Sequence, residues 1–260
     1  MKYFPFKPTY FLICSMVAVG FSSAQAKTAA LAELEETGFY GRVHAWNNKP
    51  ATAHKLALTV PKDAPIIISD YHSRVGANGL RRTLQHNGVD IFQKIGTPII
   101  AAADGKVVKA KNDKCWGPTV LISHGRTAEG KPLYALYGHM RNLKVVPGQL
   151  VKRGEQIAEM GEDIMNGCGA GFHHLHFQIS HVPYKIPFGW GWANFVTDGK
   201  EAPNPHEFWA DGPGKITCFN EGEHYKPSAL TYPLPCRTNE QKSSPTTLAQ
   251  LWSEDEAEPH

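Results

Sequence analysis

At 260 residues and 42% hydrophobic content, the chain is long enough for one or two domains with a real core. A formal net charge of only +3 gives no case for nucleic acid or an anionic membrane as the main partner. Thirteen histidines invite false positives, so spacing has to decide which of them carry chemistry.

The chain opens with Lys2 and Lys7 ahead of the apolar run "YFLICSMVAVGF", which ends in "SSAQAK". Ala24-Gln25-Ala26 fits the small-x-small site of a secretory signal peptide, so residues 1–26 are read as a leader cleaved before Lys27. The run is too short for a comfortable membrane span, and no later segment is long and apolar enough to make one. Lipid attachment at Cys14 is disfavoured by Ile13, which stands where a small residue is expected. Cleavage removes two lysines and no acids, leaving 25 − 24 = +1. It also leaves four cysteines, Cys115, Cys168, Cys218 and Cys236. An even count in an exported chain indicates two disulfides. Three connectivities are possible; Cys115–Cys168 with Cys218–Cys236 is favoured, the second closing a short C-terminal loop. A structural zinc site is disfavoured because no CxxC pair occurs.

Residues 27–62 form an N-terminal extension with little pattern beyond "TAALAELEE", enough for a helical turn or two. From "APIIISD" onward the pattern is β. "TPIIAAADGKVVKA" places two apolar runs around Asp104-Gly105 and predicts a hairpin. "TVLISHG" and "PLYALYGHM" read as two further strands, and "VPGQLVKRGEQIAEMG" as short strands punctuated by Gly148, Gly154 and Gly161. Strands at this spacing predict a mainly β, antiparallel domain over residues 63–182. Residues 183–236 read as an aromatic, disulfide-containing extension, in which "FGWGWANF" packs on the domain rather than stacking on glycan. Residues 237–260 read as a polar tail.

The chemistry concentrates in "GAGFHHLHFQIS", with His173, His174 and His176 in four positions. Period-two alternation makes residues 174–180 a strand, with Leu175, Phe177 and Ile179 on one face. His174, His176, Gln178 and Ser180 share the other, so two imidazoles project side by side, roughly 6.6 Å apart along the chain. "QHNGVDIF" puts His86 and Asp90 four apart. In a continuous strand they would sit roughly 13 Å apart, too far for one metal ion. The chain must bend between them, and Asn87-Gly88 supplies residues that tolerate a turn. Alone, HxxxD is a weak signal.

Three elements in order change this: "HNGVD", "YGHM" with His139, and "HLH". Here the chain resembles the lysostaphin/LytM-type zinc metalloendopeptidases, which cut the peptide part of bacterial cell walls. The resemblance runs from about Ile66 to Ile179 and includes "GTPIIAAADGKVV", "ISHG" and the "PGQLVKRGEQIAEMG" glycine spacing. "SRVGANGLRRTLQHNGVDI" looks like that family's entry to the first metal ligand. The resemblance implies a LytM-type (duplicated hybrid motif) antiparallel β-sheet or sandwich, to which the chain's own pattern adds the irregular disulfide-tied C-terminal extension. It also implies one zinc ion per chain on His86, Asp90 and His176, and catalytic roles for His139 and His174. Which of those two is general base stays open. His173 departs from the family's usual proline and is read as a bystander.

His124 at a strand end is expected to hydrogen-bond or face solvent. His44, His54, His72, His181, His206, His224 and His260 lack ligand spacing and are read as solvated. Arg74 and Asn78 could shape the cleft or serve structure, and Cys115–Cys168 would pin the loop before His174. The function implied is a secreted or periplasmic zinc metalloendopeptidase acting on peptidoglycan cross-links or stem peptides, without a stable membrane anchor. The alternative is a non-catalytic wall-binding or hydrolase-activating factor of the same fold, whose sign would be a missing ligand. A serine hydrolase lacks its GxSxG and a thermolysin-like protease its HExxH.

Overall fold

A computed structural model describes residues 56–73, 85–113, 116–161, 173–182 and 202–236. The leader, most of the N-terminal extension, Arg74, Asn78, Cys115, Cys168, "FGWGWANF" and the tail lie outside them. The described chain is almost entirely β, in ten strands. These are β1 (Ile66–Ser69), β2 (Val89–Phe92), β3 (Pro98–Ile100), β4 (Gly105–Asp113) and β5 (Gly117–Arg126). The others are β6 (Pro132–Gly138), β7 (Met140–Arg141), β8 (Leu150–Val151), β9 (Gln156–Met160) and β10 (Leu175–Ser180). Seven form one sheet in the order β1-β2-β10-β6-β5-β4-β8, and three form a second in the order β3-β9-β7. Every strand pair is antiparallel. Among the described residues no helix is long and apolar enough to cross a membrane.

The alternation in "HLHFQIS" becomes two different faces of the large sheet. Residues directly opposite in a register share a face. Phe177 lies against Tyr137 and Val89, and Ile179 against Ala135, within the main core. His176 lies opposite Asp90 on β2 and Gly138 on β6, and Gln178 opposite Leu136. Leu136 and Leu121 carry a smaller apolar cluster with Ala202, flanked by Trp116 and Tyr134. Both faces of β10 are thus covered and all six of its residues are buried.

Two elements differ from the sequence expectation. The runs around Asp104-Gly105 do not form a hairpin: β3 pairs with β9, whereas β4 pairs with β5 and β8. The buried Ala101–Ala103 link carries the chain from one sheet to the other, and Asp104 turns toward the β8–β9 connection, accepting from the Arg153 N–H at 2.9 Å. Gly105 serves close approach, since a Cβ there would sit 2.6 Å from the Ser123 carbonyl. "PLYALYGHM" is likewise two strands in different sheets, broken at His139, whose φ is +64°.

The segment 202–236 adds Trp209, Ile216, Leu230, Tyr232 and Leu234 to the main core and is closed by the Cys218–Cys236 disulfide. Arg153 reaches into it, donating to Ala229 O at 2.7 Å and lying over the Tyr225 ring.

Candidate metal centre

His86 and Asp90 do meet. The bend at Asn87-Gly88 brings His86 Nε2 within 3.0 Å of Asp90 Oδ1. Gly88 is required there by proximity to β10: an added Cβ would lie 2.5 Å from Phe177 O and 2.9 Å from His176 Nε2. Register supplies the third side chain. His176 stands opposite Asp90, its Nδ1 2.9 Å from Asp90 Oδ1 and 3.0 Å from His86 Nε2. All three residues are buried, Asp90 completely.

The remaining ring nitrogens define what this triangle can hold. His86 Nδ1 lies 3.0 Å from the Asp70 carbonyl, which only accepts, so Nδ1 carries the proton and Nε2 presents a lone pair. His176 Nε2 lies 3.0 Å from Gln178 Oε1, which places its proton there and a lone pair on Nδ1. Two imidazole lone pairs and a carboxylate oxygen then face one another about 3 Å apart in a dry site. A proton relieves one such contact; a divalent cation relieves all three. Ligand atoms at 2.0–2.2 Å from one tetrahedral zinc lie roughly 3.3 Å apart, within a few tenths of an ångström of this triangle. A His ligand whose second nitrogen donates to an acceptor is the usual outer support of such sites. Among the described residues this is the one cluster of three or more His, Cys, Asp or Glu with metal-holding geometry.

His174 immediately precedes β10, and its Nε2 is 3.5 Å from Asp90 Oδ1, beside the triangle rather than in it. The His139 ring is 4.7 Å from that of His174 and 6.2 Å from that of His176. The left-handed backbone at His139, which costs a non-glycine residue about 1–3 kcal/mol, occurs where the chain leaves one sheet for the other. His173 turns away and packs against Phe92 at 4.8 Å.

Some residues left without a role in the sequence reading border the cluster. Gln178 could have been found, since it shares the parity of His176. Trp116 could not: it stacks on His139 at 5.3 Å and meets His176 edge-on at 4.5 Å. Gly138 makes its room, for a Cβ there would lie 2.8 Å from the indole. His206, read as solvated, is instead wholly buried against Asp70. His124 takes the hydrogen-bonding half of its expectation, donating from Nδ1 to Asp104 O at 3.0 Å with Nε2 3.3 Å from the Tyr137 hydroxyl. Burial pulls its pKa down to about 4.

Residues 84–186, spanning the triangle and both neighbouring imidazoles, match the model of peptidase family M23. This segment is similar to an M23 peptidase domain. A lipoprotein NlpD/LppB homologue of Pseudomonas aeruginosa is 39% identical over 95 residues, 36% of this chain and 29% of that protein. The peptidoglycan DD-endopeptidase ShyA of Vibrio cholerae is 35% identical over 99 residues, 38% of this chain and 21% of that protein. The chain thus matches less than a third of the length of either relative. The lysostaphin catalytic domain of Staphylococcus simulans is 26% identical, with a TM-score of 0.36 over 52% of this chain and 83% of that one. The M23 match places residues distant in sequence, on β2, between β6 and β7, and on β10, within one domain.

Proposed function

We propose that the chain is an exported zinc metalloendopeptidase that hydrolyses peptide bonds in peptidoglycan cross-links or stem peptides in the periplasm or outside the cell. The supporting observation is the buried triangle of His86 Nε2, Asp90 Oδ1 and His176 Nδ1, whose lone pairs need a cation between them. These three residues would hold zinc. When bound, zinc polarises a scissile carbonyl and brings a water pKa to about 7.

His139 and His174 flank the triangle and supply the proton traffic. One, neutral, accepts the proton of the attacking water and returns it to the leaving amine. The other donates a hydrogen bond to the oxyanion as the carbonyl becomes tetrahedral. Trp116, stacked parallel to the His139 ring, holds that ring's plane. A relative described as a peptidoglycan DD-endopeptidase supports a cell-wall peptide as substrate. All five family positions are filled here, which favours turnover over a purely binding or activating role.

The test is mass spectrometry of muropeptides from defined sacculi treated with the purified protein. Cleaved peptides are expected with the zinc-loaded protein and are absent with chelator or with Asp90→Ala. Intact muropeptides from zinc-loaded wild type would leave only the activator reading.

A further inference from the structure

Asp70 and His206 are separated by 136 positions, yet both are fully buried and His206 Nε2 lies 2.7 Å from Asp70 Oδ1. The direction of that bond is set by its neighbour. Trp209 Nε1–H can only donate, and it donates to His206 Nδ1 at 3.0 Å. The His206 proton therefore sits on Nε2 and points at the carboxylate. Local structure holds this imidazole in place: Asn204 Oδ1 accepts from the His206 N–H at 3.0 Å and caps the 3-10 turn Pro205–Glu207.

The Asp70 carboxylate also accepts from the Tyr71 N–H at 2.7 Å, so side chain and backbone of the turn are tied together. The carbonyl of that same Asp70 accepts from His86 Nδ1 at 3.0 Å. Two backbone bonds repeat the connection, His72 N–H to His86 O at 2.8 Å and His86 N–H to Ser73 O at 3.0 Å. A continuous line of hydrogen bonds thus runs from Trp209 through His206 and Asp70 to His86. Tyr71 adds a further tie, its hydroxyl donating to the Ala202 carbonyl.

We propose that His206 and Trp209, from the C-terminal segment, are positioning residues for the His86 ligand, acting through Asp70. They hold in place the Asp70 carbonyl that keeps the His86 proton on Nδ1, and so fix where the Nε2 lone pair points. The metal centre of this chain is then completed by residues outside the 84–186 match, and a protein cut short before residue 202 has a weaker metal site. The inference rests on the metal-site reading above and deepens it.

The experiment measures zinc affinity of full-length apoprotein by competition with a chromophoric chelator, alongside the visible spectrum of the cobalt-loaded form. His206→Leu is expected to weaken zinc binding about 10–100-fold and alter the cobalt bands, as loss of outer support typically does. His206→Gln, whose amide Nε2 still offers an N–H to Asp70, is expected to restore affinity to within about threefold of wild type. If His206→Leu does not fold, Trp209→Phe decides, since it removes the indole donor while keeping an aromatic ring in the core; an affinity loss of roughly threefold or more is expected. A folded His206→Leu, or failing that Trp209→Phe, with wild-type affinity and cobalt spectrum overturns the proposal and leaves the metal reading intact. Wild type that binds no zinc overturns the metal reading itself, and this inference with it.

Discussion

The large sheet buries two kinds of histidine, and they begin alike. His86 and His124 each donate from Nδ1 to a backbone carbonyl 3.0 Å away, that of Asp70 and that of Asp104. They differ in what Nε2 meets. For His124 it is the hydroxyl of Tyr137, which donates to it while accepting from the Ala102 N–H, so each polar atom has a complementary partner. For His86 it is a carboxylate and a second imidazole lone pair. Burial and one anchored nitrogen are common to both; the partner of the second nitrogen separates a structural histidine from a candidate ligand.

The most severe test removes a corner of the triangle. Asp90→Ala, His86→Ala and His176→Ala are each expected to lose zinc and hydrolysis together, measured as metal per chain by elemental analysis and as muropeptide release. Thermal melts sharpen the contrast. Zinc at a hundredfold excess over Kd stabilises a binding protein by about 2.7 kcal/mol. That increment is expected in wild type and in His124→Gln, and absent from the corner variants. A zinc-induced rise surviving in Asp90→Ala would dissolve the distinction between the two histidines.

Next in size come the imidazoles beside the triangle. His139→Ala and His174→Ala are expected to keep stoichiometric zinc and lose about 10²–10⁴ in kcat, the range for removing a general acid or base. Metal loss from His174→Ala with retention by His176→Ala would exchange their roles on β10. Smaller again is the Cys218→Ala/Cys236→Ala pair. Its closed loop spans 18 residues, for which chain entropy predicts about 3 kcal/mol of stability. One cooperative transition at lower temperature is expected, because Trp209, Leu230 and Tyr232 share the core of the sheet. Two separate transitions in calorimetry would show the C-terminal segment melting on its own.

How much of this was legible in the sequence follows the range of the interactions. The two faces of β10 were legible because period two is a local property, and so was the need for a bend between His86 and Asp90. The sheet change at His139 was not, since a positive φ on a non-glycine residue leaves no composition signal. The Asp104-Gly105 turn misled because Asp-Gly has the same letters whether the glycine makes a turn or admits the Ser123 carbonyl. Which distant side chains share the site came from the ordered family resemblance, not from periodicity. His206 was assigned to solvent because no short-range spacing announces a partner 136 positions away.

The mildest test falls on His124 and reads as a slope. Burial holds its folded pKa near 4, with the nearby Arg153 guanidinium acting in the same direction and the Asp104 carbonyl bond opposing, against 6.5 for the free side chain. As pH falls below 6.5 the unfolded chain takes up a proton that the native imidazole refuses until about pH 4. His124 therefore leaves stability intact above pH 6.5 and erodes it through that window, at about 1.4 kcal/mol per pH unit. Urea melts of apo wild type and apo His124→Gln across this range isolate the effect, since the other histidines contribute equally to both and cancel in the difference. His124→Gln is expected to be less stable at neutral pH by about 1–3 kcal/mol, having disturbed the Asp104 and Tyr137 contacts. That deficit is expected to narrow as pH falls below 6, where wild type alone loses this stability and the two curves converge. Parallel curves would mean that the native state accommodates a charged His124, and the closed character assigned to this site would be lost.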